Sequence, residues 1–252
     1  MTSLTGKVAL VTGSSRGIGA AIATHFARAG ARVVLHGRDE TALDRLRAGI
    51  VDAGGEAIAV TGDITVAADL DRMRERILAT YGRVDVLVAN AGSTSSRPAP
   101  IEDITEESWR ADVDRTLTGT FLTVKCFLPH MKERLAGNII TVSSAAGRKP
   151  SDRTIVAYAA AKAGVQLFTQ DLAAQAGPFG IRANCLAPET ILTDTNKGWI
   201  PEDVQRLLAE AHPLRRLGTP EDVARAALFL ASDESSWITG VIVDIAGGAV
   251  LA

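Results

Sequence analysis

Short apolar runs and helical patterns alternate along almost the whole chain, and this alternation limits the fold more than any single motif does. The runs are Lys7–Thr12, Ala31–His36, Ala57–Thr61, Val84–Ala89, Asn138–Val142, Ile181–Leu186 and Val241–Asp244, each of strand length. Val84–Ala89 is almost continuously apolar, as a strand covered on both faces should be. The intervening helical patterns are Ile18–Ala29, Glu40–Ala53, a segment from Thr65 to Tyr81, Thr105–Leu135 and Tyr158–Ala176. Asp39 and Thr65 read as helix caps, Gly54-Gly55 as a stop, and Pro201 and Pro220 as first-turn residues of two further helices. Seven strands separated by helices predict an α/β, doubly wound fold: a seven-stranded parallel sheet with helices on both faces. No linker divides the chain, so residues 1–252 are expected to form a single domain. An eight-fold barrel of similar length is the structural alternative.

A glycine-rich turn argues against that barrel. Thr12-Gly13-Ser14-Ser15-Arg16-Gly17-Ile18-Gly19 lies between the first strand and the first helix. Glycines there allow a tight turn and a close backbone approach to a pyrophosphate, while the helix N-terminus offers free N–H groups and a positive dipole end. A plain strand–helix connector is the bland alternative, and the position at the first junction weighs against it. The second strand ends at His36-Gly37-Arg38, where an NAD site usually carries an acid for the ribose 2′-hydroxyl. Gly37 takes the acid's place, and Arg38 and Arg16 are suited to a 2′-phosphate, so the expected cofactor is NADP(H).

Composition excludes several other classes. A net charge of −2 and no block of like charges leave no basic surface for nucleic acid. The longest apolar runs fall far short of a membrane span, and the first residues lack the apolar core of a secretory signal. Cys126 and Cys185 have no metal-ligand spacing and read as buried thiols, and the four histidines are scattered. A cytoplasmic protein without structural metal or disulfide is expected.

Tyr158 and Lys162 are four residues apart on a predicted helix, so their side chains share a face. A cation beside a phenol favours the phenolate and brings tyrosine toward useful acid/base range. The strand Asn138–Val142 ends in Ser143-Ser144, which can deliver a hydroxyl to the same place. A surface Tyr/Lys pair on an Ala-rich helix would be unremarkable by itself; behind a phosphate-binding turn it is not.

Taken in order, these residues resemble the short-chain dehydrogenase/reductase family over practically the whole chain. The matching positions are Thr12–Gly19, Asp63, Asn90-Ala91-Gly92, Ser144, Tyr158, Lys162, Asn184, Pro188 and Thr193. The resemblance, nearest to 3-oxoacyl-carrier-protein reductases, implies a Rossmann fold, a nicotinamide cofactor, ketoreductase-type chemistry and a homotetramer. It implies catalytic roles for Ser144, Tyr158, Lys162 and Thr116. It also implies cofactor contacts from Gly13, Ser15, Arg16, Gly17, Ile18 and Gly19 in the turn, and from Gly37, Arg38, Asp63 and Ile64 toward the adenosine. Asn90, Ala91 and Gly92 would support the ribose, and Pro188, Ile191 and Thr193 would cover the nicotinamide, with Tyr158 and Lys162 beside it.

The sequence departs from the family pattern at four informative places, one of them a loop between Ser144 and Tyr158 that is one residue longer than usual. Ala89 stands where Asn is common, Thr116 where the family's fourth catalytic residue is Asn, and Glu189 where Gly usually follows Pro188. A threonine in a helix can bond back to the preceding turn, and Thr116 is expected to bend the long helix that way. The substrate, a small carbonyl or alcohol, is expected against Thr94–Pro100, Ala145–Val156 and Glu189–His212. The favoured function is reversible NADP(H)-dependent carbonyl reduction; the alternative is a cofactor-binding sensor or scaffold with little turnover.

Overall fold

The computed structural model describes residues 2–94, 96–151, 154–198 and 200–250. Ser95, Asp152, Arg153 and Trp199, all within the expected substrate-side segments, lie outside the described residues. Successive strand side chains point to opposite faces, so a strand apolar at every position needs cover on both sides. In β1 (Val8–Thr12), Val8 and Leu10 enter one core while Ala9 and Val11 enter the other. The remaining strands are β2 (Arg32–Gly37), β3 (Glu56–Thr61), β4 (Val86–Ala89), β5 (Gly137–Val142), β6 (Ile181–Pro188) and β7 (Ile242–Ile245). They form one parallel sheet in the order β3-β2-β1-β4-β5-β6-β7. The sheet is open, with β3 and β7 at its edges, which rules out the barrel.

The helices are α1 (Gly17–Arg28), α2 (Glu40–Asp52), α3 (Ala67–Tyr81), α4 (Glu106–Val113), α5 (Gly119–Glu133), α6 (Val156–Ala176), α7 (Asp194–Lys197), α8 (Glu202–Ala211) and α9 (Pro220–Ala231). Ile22 and Phe26 of α1, Leu43 of α2 and Val223 and Leu230 of α9 build the core on one face. Met73 and Ile77 of α3, Phe127 and Met131 of α5 and Leu172 of α6 build the core on the other. The strand order reverses between β1 and β4, and a crevice opens outside the carboxyl ends of the strands at such a reversal.

Two local expectations are corrected. Thr65 does not cap α3: its hydroxyl and N–H both donate to Asp63 Oδ1, and Val66 is the uncapped N-cap residue. The helix expected over Thr105–Leu135 is broken by a π-helical turn at Asp114–Thr118 between α4 and α5. A π turn widens the hydrogen-bond ladder by one residue and re-aims the side chains on it. Thr116 lies within it, fully buried, and its hydroxyl has no hydrogen-bond partner among the described residues, so the expected back-bond is absent. The back-bonds fall one turn later, from Thr120 Oγ1 to the Thr116 carbonyl at 2.7 Å and from Thr123 Oγ1 to Gly119 O at 2.7 Å.

Asp85 ties the amino end of the sheet together. It accepts the Val8 N–H at 2.8 Å, Arg83 at 2.8 Å and Arg134, just past α5, at 3.0 Å. Burial alone would raise its carboxyl, but the two guanidiniums and the N–H outweigh that and hold it below the usual carboxylate range. A depressed folded-state value stabilises the fold above the unfolded value of about 3.9 and loses that contribution as pH falls through the folded value. Asp85→Asn should therefore cost about 1.5–3 kcal/mol at pH 7, and the gap from wild type should narrow below pH about 4. Urea unfolding at the two pH values measures both.

Candidate active site

The glycine turn works by backbone approach. Gly13 has φ +66°, and a Cβ on Gly19 would stand 2.3 Å from the Gly13 carbonyl oxygen, so neither position admits a side chain without rebuilding the turn. Ser14 pins the turn to β2: its N–H donates to His36 O, and its hydroxyl accepts the His36 N–H, both at 2.9 Å. Asn90 pins it to β4, donating through Nδ2 to Thr12 O at 2.9 Å and Gly13 O at 3.2 Å. The Asn90 amide is thus engaged in holding the turn. The first turn of α1 has neither a side-chain cap nor an acidic residue, which leaves its N–H groups and dipole available to an anion. These residues fit a dinucleotide pyrophosphate.

Beyond the turn, Ser15, Gly37, Arg38, Asp63, Ile64 and Ala91 are among the residues that line a cleft of about 440 Å³. Arg16 and Arg38 at its rim each have an acidic neighbour. Arg16 lies 3.0 Å from Asp39, which also caps α2, and Arg38 lies 3.5 Å from Asp63. Both guanidiniums are mostly exposed, so these ion pairs are weak and an incoming phosphate can compete for them. Partial burial would raise the Asp63 carboxyl, but the Thr65 bonds and Arg38 hold it below its ordinary range. Sequence reasoning passed over His36, whose ring lies under this cleft. Burial pushes its imidazole down to about 4, against the pull of Asp63 and Asp69, and neither ring nitrogen has a partner.

The first cleft meets a second, of about 610 Å³, at Gly92. Its walls include Ser144, Tyr158, Lys162, Pro188, Ile191 and Thr193. Thr193 caps α7 and reaches the glycine turn, 3.4 Å from where a Cβ on Gly17 would stand. Lys162 is buried; its Nζ donates to Val142 O at 2.7 Å and lies 5.5 Å from the Tyr158 ring centre. The two adjacent serines differ in freedom. Ser143 Oγ donates to Lys162 O at 2.8 Å and accepts from Gln166 Nε2 at 2.9 Å, so it fastens β5 to α6. Among the described residues Ser144 Oγ accepts only the Ala146 N–H, at 3.1 Å, which leaves its own proton for a ligand.

Thr116 lies behind Gly92: its Cα is 3.7 Å, and Lys162 Nζ 3.6 Å, from where a Cβ on Gly92 would stand. One turn earlier Asp112, also fully buried, accepts from Thr94 Oγ1 at 3.0 Å through one oxygen and leaves the other unpaired. Sequence reasoning missed this carboxylate because nothing in its spacing marks it. Cys185 is buried and Cys126 half-buried, and burial raises both thiols. Among the described residues no helix is long and apolar enough to cross a membrane, and no group of three or more His, Cys, Asp or Glu could hold a metal ion.

Known proteins agree with this geometry. A family model described as enoyl-(acyl carrier protein) reductase matches residues 13–250. The chain is 39% identical to a 3-oxoacyl-[acyl-carrier-protein] reductase of Synechocystis, over 100% of both chains. It is 36% identical to glucose 1-dehydrogenase 2 of Bacillus subtilis, over 98% of this chain and 96% of the other. A crystal structure of a 3-oxoacyl-[acyl-carrier protein] reductase from Brucella melitensis with bound NAD superposes with a TM-score of 0.91, at 34% identity, covering 100% of this chain and 94% of that one. A phosphate-binding turn, a joined pair of clefts and a Ser/Tyr/Lys constellation occur here on a seven-stranded parallel sheet shared with these proteins, and the chain belongs to the short-chain dehydrogenase/reductase family of oxidoreductases acting on carbonyl and alcohol substrates.

Proposed function

We propose that the protein is an NADP(H)-dependent reductase of small carbonyl compounds that also runs in the direction of alcohol oxidation. The observation that carries this is the convergence of Ser144, Tyr158 and Lys162 on one cleft that joins the phosphate-binding cleft at Gly92. The nicotinamide supplies or accepts the hydride when bound. The rest is done by side chains of this chain. Tyr158 donates a proton to the substrate oxygen in reduction and takes it back in oxidation. The free hydroxyl of Ser144 hydrogen-bonds that oxygen and stabilises the charge developing on it. Lys162, anchored on Val142 O, holds positive charge beside the phenol and donates to the cofactor ribose. A homotetramer is consistent with the exposed apolar residues Phe121 and Leu167 on α5 and α6, and with Trp237 beside the edge strand β7.

Tyr158→Phe should lower kcat by about 10²–10⁴-fold and leave NADPH affinity almost unchanged. Ser144→Ala should reduce kcat at unchanged stability, whereas Ser143→Ala should lower the melting temperature as well. Near-normal turnover of Tyr158→Phe in a screen of ketones, β-ketoesters and sugars would remove the assignment.

The preference for NADP(H) rests on Gly37 in the acid's place and on Arg16 and Arg38. Asp39 and Asp63 partly neutralise them, so the preference is expected to be moderate, at least about tenfold. A Cβ on Gly37 would make only ordinary contacts, 3.6 Å from Ser15, so a carboxylate fits there. Gly37→Asp with Arg38→Leu should reverse the ratio of kcat/KM for NADPH and NADH. Equal use of both cofactors by the wild type would refute the reading of this turn.

Thr116 supports the second reading, a weak enzyme that serves as a cofactor sensor. Its buried hydroxyl is unpaired where the family's asparagine offers an amide. Thr116→Asn distinguishes the two. A kcat little changed favours the working enzyme; a gain of orders of magnitude at unchanged sedimentation favours the sensor.

A further inference from the structure

A third cavity, of about 360 Å³, lies between α4, the segment that follows β4 and the start of α6. It shares no lining residue with the two reaction clefts. Thr105, Ser108 and Asp112 line it at spacings of three and four, so one face of α4 forms its wall. Asp112 is the buried end of that face. Thr94 Oγ1 donates to its Oδ2 at 3.0 Å, and the Ser96 N–H, from another lining residue, donates to Thr94 Oγ1 at 3.1 Å. Oδ1 has no partner among the described residues.

The lining determines what that oxygen can take. A carboxylate withdrawn from water needs a hydrogen-bond donor, and a positive charge offsets its desolvation further. Ser108 is not that donor, because its hydroxyl is given to Thr105 O at 2.9 Å. No lysine or histidine lines the cavity, and the exposed Arg97 and Asp103 that do are of opposite sign. The charge left uncompensated inside is that of Asp112. A metal ion does not suit the place, since no group of three or more His, Cys, Asp or Glu among the described residues could hold one. The rest of the wall is largely apolar, from Ala99, Ile104, Ile155, Val156 and Ala157. One buried carboxylate oxygen facing an apolar wall matches an ammonium group carried on a short alkyl chain.

We propose that this cavity is a ligand site for a small organic ammonium ion, whose N–H groups bind Asp112 Oδ1 while its alkyl chain lies against Ile104, Ile155 and Val156. The site is separate from the chemistry: it does not depend on the assignment of the cofactor, and its occupancy leaves both clefts free.

Titration calorimetry of the full chain with methyl- to hexylammonium chloride, with and without saturating NADPH, tests the site. Affinity should rise along the series until the chain outgrows the cavity, and NADPH should leave it unchanged. Butylammonium should bind at least about tenfold more tightly than butan-1-ol, the margin of one charge-assisted hydrogen bond. Asp112→Asn should remove that margin and leave the affinity for the alcohol as it was. Ser108→Leu fills the cavity without touching the carboxylate and should abolish binding of both, which decides the matter even if Asp112→Asn does not fold. Equal binding of ammonium and alcohol by wild type, or a margin that survives either substitution, overturns the proposal. Binding that appears only in Arg97→Ala also overturns it, because Arg97 would then be the natural partner of Asp112. So does an ammonium signal that NADPH abolishes, which would place the ligand in the reaction clefts.

Discussion

An ammonium group that is only 4% exposed must be held by the protein, because water no longer solvates it. Lys162 meets that demand with the Val142 carbonyl at the end of β5, and its own carbonyl accepts in return from Ser143, the residue that follows β5. This reciprocal tie fixes the first turns of α6 against the strand. It therefore sets where Tyr158 stands, which hydroxyl of the serine pair is left for a ligand, and how close the phenol comes to a positive charge. The arrangement of Ser144, Tyr158 and Lys162 is a by-product of satisfying one buried cation.

Much of this was legible in the sequence, for physical reasons. All seven strands lie where the apolar runs predicted them, because a strand covered on both faces cannot hide its composition. Tyr158 and Lys162 share a helix face because helix geometry permits nothing else at that spacing. The π turn at Asp114–Thr118 was not legible: its residues are compatible with an ordinary helix. Asp39 was readable as the cap of α2 but not as the partner of Arg16, since that contact depends on how the glycine turn lies over β2. Glu189 stood out as a departure in residue type. Its contact with His212, Nε2 to carboxylate oxygen at 2.6 Å, is a tertiary fact, and no helical or strand period relates the two positions.

The buried polar groups divide into two kinds. Ser14, Ser143 and Asn184 are each hydrogen-bonded to backbone, and all of them fasten one element to its neighbour. The rings of His36 and the side chains of Asp112 and Thr116 keep unpaired atoms instead. Unpaired buried polar atoms are costly and rare in a well-packed interior. His36 lies beneath the first cleft and Thr116 behind Gly92, while His130 of α5 and Asn138 of β5 carry further unpaired atoms in the scaffold.

The reversal of strand order between β1 and β4 has a consequence for how such a chain can diverge. Residues around the first cleft come from the ends of β1, β2, β3 and β4, and residues around the second come mostly from the ends of β4, β5 and β6. The two sets share little beyond Gly92, so changes in one are nearly additive with changes in the other. Cofactor preference and substrate range can then drift on separate halves of one gene, each explored without undoing the other. A lineage built on this sheet acquires new substrates by altering its second half and new redox partners by altering its first.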